Sequence, residues 1–130
     1  MAVFWQTTVS LQARPRGCHL ISGEIQRALA QMPKCQIGLA NIFLQHTSAS
    51  LTINENCDPD VRKDMEMSLN NLAPEDAGYI HTDEGSDDMP GHVKSSLFGC
   101  SLTIPVTNSA LNLGQVICNF IIKPCLFAVV

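Results

Sequence analysis

Three of the four histidines in this 130-residue chain, His46, His81 and His92, fall in a stretch crowded with carboxylates and amides. Imidazoles with a carboxylate form a donor set for Zn²⁺ or another divalent cation, and three histidines plus an acid leave a coordination position open. The H-x34-H-x10-H spacing matches no local metal motif, so spacing alone does not assign the chemistry. Each histidine also has an ordinary structural reading. His46 ends an apolar run in phase with Ala40, Ile42 and Leu44, where an inward-facing histidine serves as a hydrogen-bonded structural residue. His81 sits beside Asp83, Glu84, Asp87 and Asp88, an acid run that reads equally as a solvated turn. His92 falls in the first turn of an expected helix, where the positive end of the dipole disfavours imidazolium. A neutral ring there suits a metal ligand or a hydrogen-bonding electrophile, and equally a boundary residue bonded to the preceding loop.

A second acidic turn follows at Asn54-Glu55-Asn56, with Asp58 and Asp60 after it. Asp58 is explained as a helix cap, whereas Glu55 leaves an extended run with no structural role beyond exposure. The serine-rich His46-Thr47-Ser48-Ala49-Ser50 segment lacks the G-x-S-x-G elbow of serine hydrolases. There is no P-loop, dinucleotide fingerprint or H-E-x-x-H. Residue chemistry by itself describes a polar site whose reaction is open.

The elements that must hold this site fit one domain. With 45% hydrophobic and 15% charged residues the chain is globular in composition, and at this length it buries a core without staples. A net charge of −4 and the absence of a basic block argue against nucleic-acid binding. The six cysteines are widely spaced with no C-x-x-C, and the first residues interleave apolar and polar types with no signal-peptide pattern. We therefore expect reduced thiols and a cytoplasmic protein.

Residues 3–12 read as a strand, and 18–22 as a short extended piece. Ser22 is placed to cap a helix that buries Ile25, Ala28, Leu29 and Met32 and stops at Pro33. Residues 36–46 give a strand apolar on both faces, with Leu39 and Phe43 opposite Ala40, Ile42 and Leu44, which predicts burial on both sides. An extended run covers 47–56. Asp58-Pro59 then starts a helix carrying Val61, Met65, Leu69 and Leu72 inward, and 78–87 is a loop. A second short helix begins near Asp88, buries Met89, Val93 and Leu97, and ends at Gly99. Residues 100–108 form an alternating strand in which Pro105 demands an edge or a bulge. Without a strict βαβ rhythm, the expected class is α+β: a single domain with a largely antiparallel, β-sandwich-like sheet and two or three short helices.

Three segments carry a resemblance: HTSASLTINENCDPDVRKDME, H-x-x-E-G-x-D-D-M-P-x-H-x-K-S-S and G-x-S-L-T-I-P-V. They are similar to the secondary thiamine-phosphate synthase family, the YjbQ-like group, from about Phe4 to Gly114. The resemblance implies a compact α+β domain assembled as a homotrimer, with a divalent metal, zinc by preference, in a histidine-lined pocket. It implies a small-molecule substrate and a weak activity joining hydroxymethylpyrimidine diphosphate to thiazole phosphate. By position, His46, His81 and His92 become the metal ligands, and Glu84, Asp87, Asp88 and Glu55 the acidic catalytic groups. Ser48, Asn54, Asn56 and Lys94 become substrate-binding residues, with Lys94 set to meet a phosphate. A non-catalytic small-ligand-binding module and an inactive isoform are the competing readings.

After Gly114 the family's Thr-Trp-Gln-Gly turn and closing strands are not found. Residues 1–114 thus form the family-like domain, and 115–130, QVICNFIIKPCLFAVV with Lys123 as its one charge, an alternative apolar ending. That ending is too short for a bilayer span, which needs roughly 20 apolar residues. It can offer a replacement strand at 115–122, and we expect it to leave a sheet edge open.

Overall fold

The computed structural model describes residues 3–114, 117–122 and 126–129. Strand β1 spans Thr8–Leu11 and β2 Cys18–Leu20; helix α1 is Ser22–Leu29. Strands β3 (Ile37–Leu44) and β4 (Ser50–Glu55) precede helices α2 (Asp60–Leu72) and α3 (Asp88–Phe98). Strands β5 (Ser101–Thr107), β6 (Ala110–Leu111), β7 (Ile117–Ile122) and β8 (Leu126–Val129) follow. All pairings are antiparallel, in a five-stranded sheet ordered β1-β8-β3-β5-β6 and a three-stranded sheet ordered β2-β7-β4. This is the expected α+β architecture. No helix among the described residues is long and apolar enough to cross a membrane.

Leu11 of β1, Ile42 and Leu44 of β3, Leu51 of β4, Ile104 of β5 and Ile25 and Leu29 of α1 meet in one buried cluster, with Ile21 and Ala49. Period-2 alternation explains the strands' share, since Ala40, Ile42 and Leu44 turn inward together. The opposite face of β3 corrects the expectation of burial on both sides: Ile37 is 88% and Leu39 75% exposed, and Phe43 is also exposed. No element of the described chain covers that face, so apolar composition alone did not decide burial. Pro105 behaves as anticipated. It pairs with Leu39, while β6 covers only Val106 and Thr107 on the outer side of β5. The β5–β6 hairpin turns on Asn108 and Ser109, both at positive φ, and their N–H groups donate to Gln36 and Cys35 carbonyls.

Helix boundaries shift slightly. Ser22 is the first residue inside α1, and Ile21 holds the cap position without a side-chain cap. Asp58 precedes α2 by two residues, yet its Oδ1 still accepts the Asp60 N–H at 2.8 Å. In α2, Leu69 is buried but Leu72 is not. The larger correction is the rotation of α3. Instead of Met89, Val93 and Leu97, its buried residues are Asp88, Pro90, Gly91 and Lys94, and Leu97 is 60% exposed. Gly99, at φ 82°, ends the helix as expected.

The expected open edge does not belong to the tail. The strand read at 115–122 is found over Ile117–Ile122, residues 115–116 lying outside the described chain. It is the central strand of its sheet, paired with β2 on one flank and β4 on the other. Strand β8 likewise lies between β1 and β3. The first strand, expected over 3–12, is restricted to Thr8–Leu11, the four residues that β8 reaches.

Ile25→Ala removes a fully buried side chain and should cost about 2–5 kcal/mol in urea unfolding. Leu97→Ala should stay within about 0.5 kcal/mol of the parent. Comparable losses for the two variants would mean that α3 packs with its apolar face inward after all.

Candidate functional site

Helix α3 carries Asp88 in its first turn and His92 one turn later, on the same side of the helix. The loop before it delivers His81. Asp88 Oδ2 lies 3.1 Å from His81 Nε2 and 3.0 Å from His92 Nε2, and the two rings stand with centroids 5.6 Å apart. The carboxylate is buried, whereas both imidazoles reach solvent. One ligand atom from each of the three residues falls within 4.8 Å of the others, the spacing needed to surround one cation.

The bend between β3 and β4 orients this group. His92 Nδ1 donates to the Thr47 carbonyl at 3.1 Å, and Ser95 Oγ donates to the Ala49 carbonyl at 2.8 Å. A carbonyl oxygen only accepts, so the proton of a neutral His92 sits on Nδ1 and its Nε2 lone pair faces Asp88. Two lone pairs meeting at 3.0 Å repel unless a second proton or a cation lies between them.

His46 is outside this group of three. Its Nδ1 accepts the Ser48 N–H at 3.1 Å, with Ser48 Oγ 3.4 Å away. That leaves Nε2 of the neutral ring as the protonated nitrogen, a hydrogen-bond donor. Ser48 itself is buried. Glu84 is exposed in the turn between His81 and α3, and Asp87 is half-buried at the N-cap. Glu55 ends β4 in solvent, its N–H taken by Asn54 Oδ1 at 2.8 Å. Asn56 Oδ1 accepts from the Arg62 guanidinium.

Lys94 belongs to a second polar layer that sequence reasoning missed. Its Nζ donates to Asn70 Oδ1 at 2.9 Å, and the same oxygen accepts from Arg16. Arg16 also pairs with Glu66 at 3.6 Å and with Glu75, while Cys18 Sγ lies 3.7 Å from Glu66 Oε2. Loss of hydration lowers the Lys94 pKa, opposed by the Glu66 carboxylate. Burial, with help from Glu66, pushes the Cys18 thiol up to about 11. The signal that could have located this layer is the placing of Lys94 two turns after Asp87, on the face of α3 that turns inward.

The YjbQ-like UPF0047 family model matches residues 7–119, which include every residue of both polar layers. The UPF0047 protein YjbQ of Escherichia coli O157:H7 is 50% identical over 112 residues, covering 86% of this chain and 81% of its own. This chain belongs to the YjbQ-like UPF0047 family. A UPF0047 protein of Synechocystis is 41% identical over 110 residues, covering 84% of this chain and 74% of its own. Among solved structures, a YjbQ/UPF0047-family protein of Clostridium acetobutylicum superposes with a TM-score of 0.77 at 28% identity, covering 98% of this chain and 97% of that one. A conserved hypothetical protein of Thermus thermophilus gives 0.80 at 27% identity, over 95% and 96% of the two chains. The match of the YjbQ-like model beyond Gly114 agrees with β7 being an integral strand of the fold.

The raised Cys18 pKa sets a pH window. The folded chain holds this proton above the thiol's ordinary pKa of 9.0, so the stability Cys18 contributes is lost as pH rises from 9.0 towards about 11. At pH 8, iodoacetamide should modify Cys18 on the order of 100-fold more slowly than the exposed Cys57, as read by peptide mass spectrometry. Glu66→Gln should narrow that gap. Equal rates for Cys18 and Cys57 in the parent chain would remove the buried-thiol description.

Proposed function

We propose that His81, Asp88 and His92 hold a divalent cation and that the site serves a transferase of the thiamine-phosphate synthase type. The observation that carries this reading is the commitment of His92 Nδ1 to the Thr47 carbonyl, which aims Nε2 at Asp88 Oδ2 from 3.0 Å. Two imidazoles and one carboxylate suit zinc, with room left for an exogenous ligand. Thr47 acts as the outer partner that fixes the His92 tautomer. His46, whose Nδ1 is occupied by the Ser48 N–H, serves on this reading as a donor towards substrate rather than as a third imidazole ligand.

The proposed reaction joins hydroxymethylpyrimidine diphosphate to thiazole phosphate and releases pyrophosphate. A bound divalent cation would neutralise charge on that leaving group. Asp87, Asp88, Glu84 and Glu55 otherwise make the surroundings acidic and repel phosphates. Asn54 and Asn56, beside Glu55, are assigned to substrate binding with Ser48. Lys94 contributes a buried positive charge through the Asn70 layer, so its phosphate role is long-range attraction rather than direct contact. The reading also includes a homotrimer, for which the exposed Ile37, Leu39 and Phe43 face is an available apolar surface. It includes a cytoplasmic location, in keeping with Cys18, Cys35, Cys57 and Cys100 being free thiols.

Elemental analysis of the purified chain should find about one equivalent of divalent metal, and Asp88→Asn should weaken its retention roughly 10–100-fold. Chelation should lower the melting temperature of the parent more than that of Asp88→Asn. A well-folded protein that takes up no metal when supplied with zinc would end the metal reading. With metal bound, incubation with the two substrates should release thiamine phosphate. Ligand-induced stabilisation without product would replace the transferase by a binding module.

A further inference from the structure

The three groups of the candidate cation site come from two elements. Asp88 and His92 ride on α3, which the Thr47 and Ala49 carbonyls hold against the β3–β4 bend. His81 comes from the loop before it, whose backbone hydrogen bonds are local turns. Gly85 N–H donates to the Thr82 carbonyl at 3.2 Å, and Asp88 N–H to the Gly85 carbonyl at 3.3 Å. The loop also reaches back along the chain. Ser86 Oγ donates to Glu75 Oε2 at 2.7 Å, and Glu75 lies in the turn that follows α2.

Arg16, from the turn before β2, takes the other oxygen of that carboxylate, Glu75 Oε1. Its guanidinium also donates to Asn70 Oδ1, the oxygen that accepts the Lys94 ammonium of α3 at 2.9 Å. One planar fork of donors thus joins the anchor of the His81 loop to the anchor of α3. Charge sets the position of Arg16. Helix α2 has no basic residue in its last turn, and the carbonyls there favour a cation supplied from elsewhere. Glu66, one turn before Asn70, lies 3.6 Å from the guanidinium. Its carboxylate offsets the repulsion between Arg16 and Lys94 across the shared Asn70 oxygen.

We infer that Arg16 is a positioning residue for the cation site, clamping the His81 loop to α3. One arm of the clamp runs through Glu75 and Ser86, the other through Asn70 and Lys94. The inference deepens the cation reading and rests on it for the role of the metal. Arg16 acts through these partners and not on the cation itself. It fixes the separation of His81 from the Asp88–His92 pair before a cation arrives, so less ordering is left to be done on binding. A lysine at this position carries the charge but lacks the planar fork that spans both anchors.

The test uses the whole chain. Arg16→Gln should weaken zinc binding roughly tenfold, read by competition with a chelating dye, and Arg16→Lys should not restore it. Ser86→Ala cuts the loop arm at an exposed residue. It should weaken zinc about threefold to tenfold and leave the melting temperature of the metal-free chain unchanged. Added to Arg16→Gln, it should cost nothing further, because both changes cut one tie. A second readout needs no metal. Ring-proton Overhauser contacts between His81 and His92, whose centroids stand 5.6 Å apart, should be present in the metal-free parent and weakened in both variants. Contacts that are absent from the parent, or unchanged in the variants, overturn the inference. So do fully additive zinc losses, unchanged zinc affinity in the variants, or full rescue by lysine. Ser86→Ala carries the test alone if Arg16→Gln does not fold. Weakened ring contacts in a chain that takes up no zinc would end the cation reading and leave the clamp standing.

Discussion

A buried carboxylate at the start of a helix governs this molecule's functional face. Asp88 is 4% exposed, and removing an ionised carboxylate from water is costly unless other groups replace the lost hydration. Its compensation comes from the positive end of α3 and the His81 ring, and from the His92 ring once a proton or a cation bridges Nε2 to the carboxylate. That requirement fixes the rotation of α3 about its own axis. Once Asp88 faces inward, Gly91 and Lys94 follow it inward and Leu97 turns to solvent. The helix gives up apolar burial to keep a polar face inside.

Turning Lys94 inward creates a second charge to be satisfied, and Asn70 and Glu66 of α2 supply the answer, against the repulsion of Arg16 from the turn before β2. The two polar layers are therefore linked through one helix. Shifting α3 to improve its apolar packing would expose both to imperfect pairing, which costs more than the burial regained. The bend between β3 and β4 completes the arrangement, since Thr47 and Ala49 hold α3 by their carbonyls. The site rests on backbone between two sheet strands as well as on the loop that carries His81.

The sheets depend on the far end of the chain. Strand β7 joins β2 to β4, which no other described strand does, and β8 joins β1 to β3. Contacts this distant in sequence carry the full entropic cost of loop closure and are rewarded only when the whole domain is formed.

The sequence determined the element types. A run apolar on both faces marked β3, period-2 alternation marked β5, Pro105 marked a poorly covered strand, Gly99 the end of α3, and the long His- and acid-rich motifs the family and the region of the site. These are local properties, set by side-chain period, backbone freedom and motif order. The tertiary structure decided which faces are buried and which polar groups meet. Leu39 and Leu97 are as apolar as any core residue, yet packing left both outside. Asp88 joined His81 and His92, while the Nδ1 of His46 was taken by the Ser48 N–H, because the geometry of a helix start and a strand bend is not encoded in residue type. The apolar tail read as a hazard from composition alone. Its role as two inner strands followed only from the partners that the fold places on either side of it.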